Sequence, residues 1–426
     1  MTMRLMMGGA LALVMAACAP AGDDSGSKIT PQAPVADAGA GAIHERLMVL
    51  DSHLDIPASF HTDGYTFGAR GSFEADRTQV DLPRMKEGGL DGGFFVIYTN
   101  QGPLNTASYS AARNSAVLRQ MAIREMAAKY GDEVELAFTA DDAERIVASG
   151  KRAVLQSMEN AYPLGEDISA LQTFYIAGLR MIGPVHFANN QFADSATDIE
   201  PEYDGLSPLG EELVREANRL GLLLDGSHAA DSTVRDMMAL STTPIILSHS
   251  GPKAIYDHAR NISDELMVEI AEDGGVIQIN ALGSYLEALE PSPERAAALA
   301  EITEQYGSNF TAMSAETIAA VRAARSAVDE VHPAPRSTFE KFMEHLLHSL
   351  ELVGPDHIGM GADWDGGGGV DGMSDITYLP RVSEALLEAG YTEEDLAKIW
   401  GGNIMRLMRE AEAARTSPLV SLKSVN

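Results

Sequence analysis

Cysteine is almost missing from this chain: there is one, Cys18, among 426 residues. No disulfide can therefore form within it. Basic side chains are also scarce, with 31 Lys and Arg against 62 Asp and Glu and a formal charge of −31. Nucleic-acid binding relies on Lys and Arg at the phosphates, so this balance argues against that class of partner. Long apolar runs are absent too. The longest stretch near the start, Met6–Ala17, is too short for a comfortable transmembrane helix. Hydrophobic residues are not lacking overall: at 45% they supply an ample core. The length suits an α/β barrel of ~250 residues carrying insertions.

Arg4, the apolar run and the small residues Ala16-Ala17 have the layout of a secretory signal. Small residues directly before a lone Cys resemble the bacterial lipobox, although Met15 stands where Leu is usual. Residues 1–17 are thus expected to be a signal peptide. Residues 18–41, rich in Ala, Pro, Gly, Asp and Ser, are expected to be a flexible tether. The expectation is an exported protein, periplasmic or in the cell envelope, held to a bacterial membrane by a lipid on Cys18. A plain secretory signal with an incidental Cys is the alternative.

Beyond residue 42 short apolar runs alternate with helical stretches, the signature of repeated βα units. The organising segment is Val49-Leu50-Asp51-Ser52-His53-Leu54-Asp55-Ile56-Pro57. Residues 47–50 read as a buried strand that Pro57 stops. Residues i and i+2 of an extended backbone share a face, so His53 and Asp55 can converge, and imidazole with carboxylate suits zinc. Further strands read as 92–98, 133–138, 153–158, 178–185, 222–225, 244–247, 275–280 and 357–362. Helices are expected at 82–88, 106–130, 141–149 (with Asp141 as N-cap), 168–176, 208–219, 231–239, 264–272, 339–352, 380–389 and 393–412. Eight strands can be laid in order, with 133–138 as an accessory. Six of the eight deliver a titratable side chain at the carboxyl end, where barrel enzymes carry their catalytic groups. The fold class is α/β, a (β/α)₈ TIM-like barrel over 42–415, followed by a tail at 416–426. Residues 281–335 form a helical insertion after strand seven, either a lid over the cleft or a solvated helical pair.

The strand-end candidates are His53, Asp55, Glu159, His186, His228, His249 and Asp363. Three His and two carboxylates could hold two metals bridged by one carboxylate, with a water between them held as hydroxide. Another carboxylate could move its proton, and a spare His could stabilise developing negative charge. That constellation suits hydrolysis at a carbonyl or phosphoryl centre.

Several segments, in this order, resemble the renal (membrane) dipeptidase family of the metal-dependent amidohydrolase superfamily. They are Asp51–Pro57, the Glu159 strand, Val185-His186-Phe187-Ala188-Asn189-Asn190, the Gly205-Leu206-Ser207 loop with Gly210, Arg219–Leu222 into Asp225-Gly226-Ser227-His228, and Ser248-His249-Ser250. Arg260–Asp264, Gly361–Gly366 and the closing Gly402-Asn403-Ile404-Met405-Arg406 complete the set. The resemblance implies two zinc ions bridged by Glu159, one with His53 and Asp55 and the other with His228 and His249. It implies that His186 stabilises the tetrahedral intermediate and that Arg260 pairs with the substrate carboxylate. Asp363 would act as acid/base and could also meet the substrate's free amine. The implied reaction is hydrolysis of a dipeptide, often with a D-residue on the C-terminal side. Family members often form homodimers, and nothing in the sequence marks an interface.

The chain departs from the family pattern at Trp364, Ala362, Gly226 and Asn160-Ala161-Tyr162; none of these removes a ligand, and Asn160–Tyr162 with the 281–335 insertion bear on substrate preference. His44, His61, His258, His332 and His357 are expected in loops or helix flanks, and His345 with His348 on a helix surface. Asp51, Asp365 and Asp225 are candidates for orienting the ligands. Two rivals stand beside the dipeptidase reading. One is an amidohydrolase of the same metal site acting on another amide, a lactam or an ester; the other is a non-catalytic surface binding lipoprotein.

Overall fold

Among the described residues nine strands are all parallel to their neighbours: β1 (Leu50–Leu54), β2 (Gly92–Tyr98), β3 (Val134–Leu136), β4 (Arg152–Glu159), β5 (Leu179–Ile182), β6 (Leu223–Leu224), β7 (Ile246–Ser250), β8 (Val276–Ile279) and β9 (Ile358–Met360). The computed structural model describes residues 38–62, 64–198, 200–307 and 315–418, all within one compact unit. One sheet runs β1-β2-β4-β5-β6, with β3 paired to the start of β4; a second runs β7-β8-β9. Single parallel bridges, Asp225 to Ile246 and Leu54 to Trp364, link the two. The result is a strongly curled parallel α/β sheet with many helices. The continuous pairing expected of a barrel is interrupted at those two bridges.

Both faces of the strands are buried, which is why they read as near-continuous apolar runs. Leu50, Phe94, Leu155, Met181, Leu223, Ile246 and Val276 form one core with Ile404, Met405 and Met408 of the helix Asn403–Ala414. Their neighbours Val49, Phe95, Val154, Ile182, Leu224, Leu247 and Ile277 belong to the larger core under the other helices. Strict alternation from Leu50 and Ile246 would leave His53 and His249 on the opposite side from those two residues. Register irregularities between Asp51 and Leu54, and between Leu247 and Ser250, interrupt it at both histidines. Bulges of this kind re-aim side chains beside active sites.

Several expectations need adjustment. The first strand lies at Leu50–Leu54 rather than 47–50, because the Val49 N–H is taken by the Asp91 carboxylate and ladder pairing starts at Leu50 with Gly92. The helix Ala140–Ala148 is capped by Thr139, whose hydroxyl accepts from the Asp142 N–H, and Asp141 lies in its first turn. The last expected helix is three pieces, Glu393–Ala397, a π-helical Lys398–Gly402 and Asn403–Ala414. At its centre a side chain on Gly401 would press within 2.6 Å of the Met48 carbonyl. His345 is not on a helix surface: it is fully buried and its Nε2 meets the Leu286 carbonyl at 2.9 Å. Its neighbour His348 is half-buried and pairs with Asp264 at 3.0 Å.

The insertion contains helices at Gly283–Leu286, Pro293–Tyr306 and Ala315–Val331. Residues 38–41, expected to belong to the tether, begin the helix Ala38–His44. Cys18, the signal segment, the rest of the tether and residues 419–426 of the tail lie outside the described residues. Among the described residues no helix is long and apolar enough to cross a membrane.

Candidate metal centre

Each functional side chain leaves the carboxyl end of a strand or the turn just beyond it. His53 is in β1, with Asp55 opening the following 3₁₀ turn; Glu159 closes β4, and His249 lies in β7. His186, His228 and Asp363 follow β5, β6 and β9 by a few residues. Two of these, His228 (φ 68°) and Asp363 (φ 64°), hold left-handed backbone, as do Asn160 (φ 69°) and Asp365 (φ 64°) close by. Such conformations are uncommon without glycine and collect at functional sites.

Glu159 stands at the centre. Its Oε1 lies 3.0 Å from His228 Nε2, 3.4 Å from His249 Nε2 and 3.8 Å from both His53 Nε2 and His186 Nε2. His228 and His249 bring their Nε2 atoms within 2.9 Å of each other. His53 Nε2 is 3.3 Å from Asp55 Oδ2. Donor atoms lie within 4.8 Å of one another in three trios: His53, Glu159 and His249; Glu159, His186 and His228; and His53, Asp55 and Asp363. All seven strand-end candidates are thus brought to one place. Donors sharing a tetrahedral ion at ~2.0–2.1 Å would sit ~3.3 Å apart, close to the spacings around Glu159.

The donor set fits a metal on a second ground. His53 and His228 are buried, yet among the described residues neither Nδ1 has a hydrogen-bond partner. Buried polar groups left this way need an occupant to offset their desolvation. Burial also pushes the Glu159 and Asp363 carboxyls up, aided by the Asp55 charge and opposed by His53. Burial would lower His53, but Glu159 and Asp55 outweigh it and raise it to about 10. Burial and the Arg260 charge hold His228 and His249 well below the usual range, which keeps both imidazoles neutral as ligation requires. A divalent cation would reverse the balance among the crowded carboxylates.

Arg260 is buried beside this cluster, with Nη2 donating to the His249 carbonyl at 3.0 Å and Nε unpartnered. Its guanidinium lies 5.4 Å from the Tyr285 ring. The three expected orienting carboxylates each tie backbone together. Asp51 accepts from the His53 and Ala362 N–H groups, Asp365 from Gln79 and Val80, and Asp225 from Ser227 and Ser248.

Sequence reading did not single out four further neighbours. Ser195 donates to the His186 carbonyl at 2.5 Å. The rings of Tyr98 and Phe187 lie 5.0 and 3.8 Å from His186, and Phe187 is 51% exposed. Gly366 lies against two carboxylates: a Cβ there would fall 2.2 Å from both Asp55 Oδ2 and Asp363 Oδ1. Phe187 and Gly366 stand inside segments that carry the family resemblance and Tyr98 at a strand end, whereas nothing in the sequence marks Ser195.

A curled parallel sheet that gathers imidazoles and carboxylates at its strand ends defines a class, the metallohydrolases. Residues 38–420 match the membrane dipeptidase family, peptidase family M19, and the chain belongs to that family. It is 31% identical over 344 residues to dipeptidase tcpJ of Claviceps purpurea, covering 79% of this chain and 70% of that one. Among solved structures it is similar to the probable dipeptidase PvdM of Pseudomonas aeruginosa, with 30% identity and TM-score 0.76 over 88% of this chain and 98% of the other. It is also similar to a Rhodobacter sphaeroides metallopeptidase liganded with a phosphinate mimic of L-Ala-D-Ala. That match has 26% identity and TM-score 0.67 over 86% and 99% of the two chains. The chain is therefore a hydrolase of the dipeptidase family with a site that can hold metal.

Proposed function

We propose a dipeptidase that carries two zinc ions, bridged by Glu159. His53 and Asp55 would complete one site, and His228 and His249 the other. The observation that carries this is the convergence of four Nε2 atoms on Glu159 Oε1 within 3.0–3.8 Å. Bound zinc supplies Lewis acidity, which polarises a carbonyl and acidifies water.

The chain's own residues do the rest. Asp363 takes a proton from the attacking water and returns it to the leaving amine. Its carboxylate lies with His53 and Asp55 in one group of donors, which places it beside the reacting water. Burial and Arg260 lower His186 to about 3, so its neutral ring offers an N–H to the developing oxyanion. Arg260 presents a buried guanidinium to the substrate's terminal carboxylate. The L-Ala-D-Ala mimic bound by the Rhodobacter relative supports a substrate with a D-residue on the C-terminal side.

The fold reading is a closed (β/α)₈ barrel over 42–415, with 281–335 inserted after its seventh barrel strand. The two single bridges between the sheets support closure. Export and lipid attachment at Cys18 remain part of the proposal on the sequence pattern alone, as does a homodimer on family likeness.

Zinc per chain and turnover on L,L- and L,D-dipeptides, with and without chelator, test the proposal on one preparation. About two zinc with chelator-sensitive cleavage is expected. Two zinc with no dipeptide cleaved would transfer the site to another amide, a lactam or an ester. No stoichiometric metal in a folded, metal-supplied protein would end the reading at His53 and Asp55.

A further inference from the structure

His249 differs from the other ligands proposed for zinc in what holds its far ring nitrogen. Its Nδ1 lies 2.9 Å from Ser248 Oγ, whereas both His53 and His228 leave Nδ1 without a partner. The serine hydroxyl has one proton. It lies 2.5 Å from Asp225 Oδ2, and a carboxylate can only accept there. The hydroxyl must therefore accept from the imidazole, which places the ring proton on Nδ1. His249 Nε2 is left with its lone pair facing Glu159 Oε1 and His228 Nε2, at 3.4 and 2.9 Å.

The other oxygen of the same carboxylate laces the two strand ends together. Asp225 Oδ1 accepts from the Ser227 and Ser248 N–H groups, both at 2.9 Å, and Ser227 Oγ accepts from the His249 N–H at 2.9 Å. Between β6 and β7 ladder pairing is down to one bridge, Asp225 to Ile246. Side chains thus supply, where the sheet is thinnest, the fixation that ladder hydrogen bonds provide elsewhere. Asp225, Ser227 and Ser248 are all buried, so water does not compete for these bonds.

We infer that Ser248, backed by Asp225, is a positioning residue that fixes the tautomer and orientation of His249 and thereby sets the affinity of the metal site His249 serves. The metal half rests on the proposed zinc reading; the tautomer half does not. Partners behind a ligating histidine are commonly worth 10–100-fold in metal affinity.

Ser248→Ala, Ser248→Thr and Asp225→Asn test this, with far-UV circular dichroism of the metal-free proteins as a folding control. Zinc retained per chain is measured against a graded chelator series. Ser248→Ala is expected to lose one of its two ions at ~10–100-fold lower chelator strength, with the other unchanged. Threonine should restore retention, and Asp225→Asn should weaken it in the same sense. In the metal-free protein, ¹⁵N chemical shifts of labelled histidine, assigned with His249→Gln, should report Nδ1–H for the wild type. Ser248→Ala should report a mixture of tautomers. An unchanged tautomer, or unchanged zinc retention beside a two-zinc wild type, would overturn the inference. A wild type without zinc would instead sink the metal reading and leave the tautomer result to decide this one.

Discussion

At the scale of single residues, Asp363 and Gly366 are the positions where substitution tests the chemistry most directly. Asp363→Asn keeps shape and a lone pair while removing the group assigned to move the proton. Turnover is expected to fall by roughly 10²–10⁴-fold with zinc content held, and turnover within a few-fold of wild type would refute the role. Gly366→Ala tests the cradle. Its Cβ would overlap Asp55 and Asp363 oxygens at 2.2 Å, so one carboxylate must move, at a cost of about 1–3 kcal/mol. Reduced zinc and at least ~100-fold lower turnover are expected; wild-type values for both would show that the two carboxylates can shift freely.

His44 offers a test away from the site. Its Nδ1 lies 2.7 Å from Ser383 Oγ, which also accepts from Trp400 Nε1, and its Nε2 lies 3.0 Å from the Gly88 carbonyl. The serine proton is therefore free for Nδ1, and the ring must be neutral to accept it. Burial lowers its pKa below the ordinary value of about 6.5, against the pull of Gly88 and Glu45. Above that value neither state gains a proton. Below it the unfolded chain binds one first, so stability falls as pH drops from about 6.5 toward the lowered folded value. Denaturation across pH 5–8 should show part of that slope vanish in His44→Asn; an unchanged slope would assign the effect elsewhere.

The seven strand-end residues were legible because each follows an apolar run, and strand ends are where such folds meet. Ser195 lies outside every resembling segment, and the parts played by Ser248 and Gly366 within theirs are not legible, since nothing local separates a serine that braces a histidine from one in a turn, or a glycine between two carboxylates from one in a loop. Even for His53, strand alternation pairs it with Asp55 without saying which side of the sheet the two face. That depends on a register irregularity, which exists only against the neighbouring strand.

Elements were read well where periodicity alone determines them. The strand Gly92–Tyr98 and the helix Asp264–Glu272 have the expected bounds. Boundaries moved where a long-range partner decides them, as when Asp91 intercepts Val49. His345 was misplaced for the same reason, since its burial comes from the insertion folding back to present the Leu286 carbonyl. The two long helices of the insertion are expected to be separable from the rest. Ser337 Oγ donates to Glu287 Oε1 at 2.6 Å, pinning the two ends of the excursion together. Of the side chains described on its two long helices, only Ile302 and Val321 are buried among the large apolar residues. Replacing 291–333 by a short Gly/Ser linker should leave zinc content unchanged and shift Tm by no more than a few degrees, about 1 kcal/mol at this size. Changed dipeptide preference would mark the excursion as a lid; loss of folding would refute its independence.

At the scale of the whole molecule, the sequence suggested eight strands in order with one accessory. The observed pairing keeps that order and places β3 on the flank of β4. What could not be read was continuity: two junctions hold by single bridges because β6 is only Leu223–Leu224 and β9 only Ile358–Met360. Short strands carry few ladder bonds, and strand length depends on neighbours more than on composition.

The donors around Glu159 come from β1 at one end of the chain and the turn after β9 at the other, and all but Asp55 and His186 are nearly sealed from solvent. With zinc bound as proposed, the ion would be enclosed by groups from distant parts of the chain and would exchange slowly where no chelator competes. Which metal the protein takes up would then reflect the ions available as folding finishes as well as intrinsic preference. Unfolded protein renatured in manganese, then moved to equimolar zinc, should keep manganese for hours. Rapid replacement by zinc would show instead that the site breathes and that the folding environment leaves no trace.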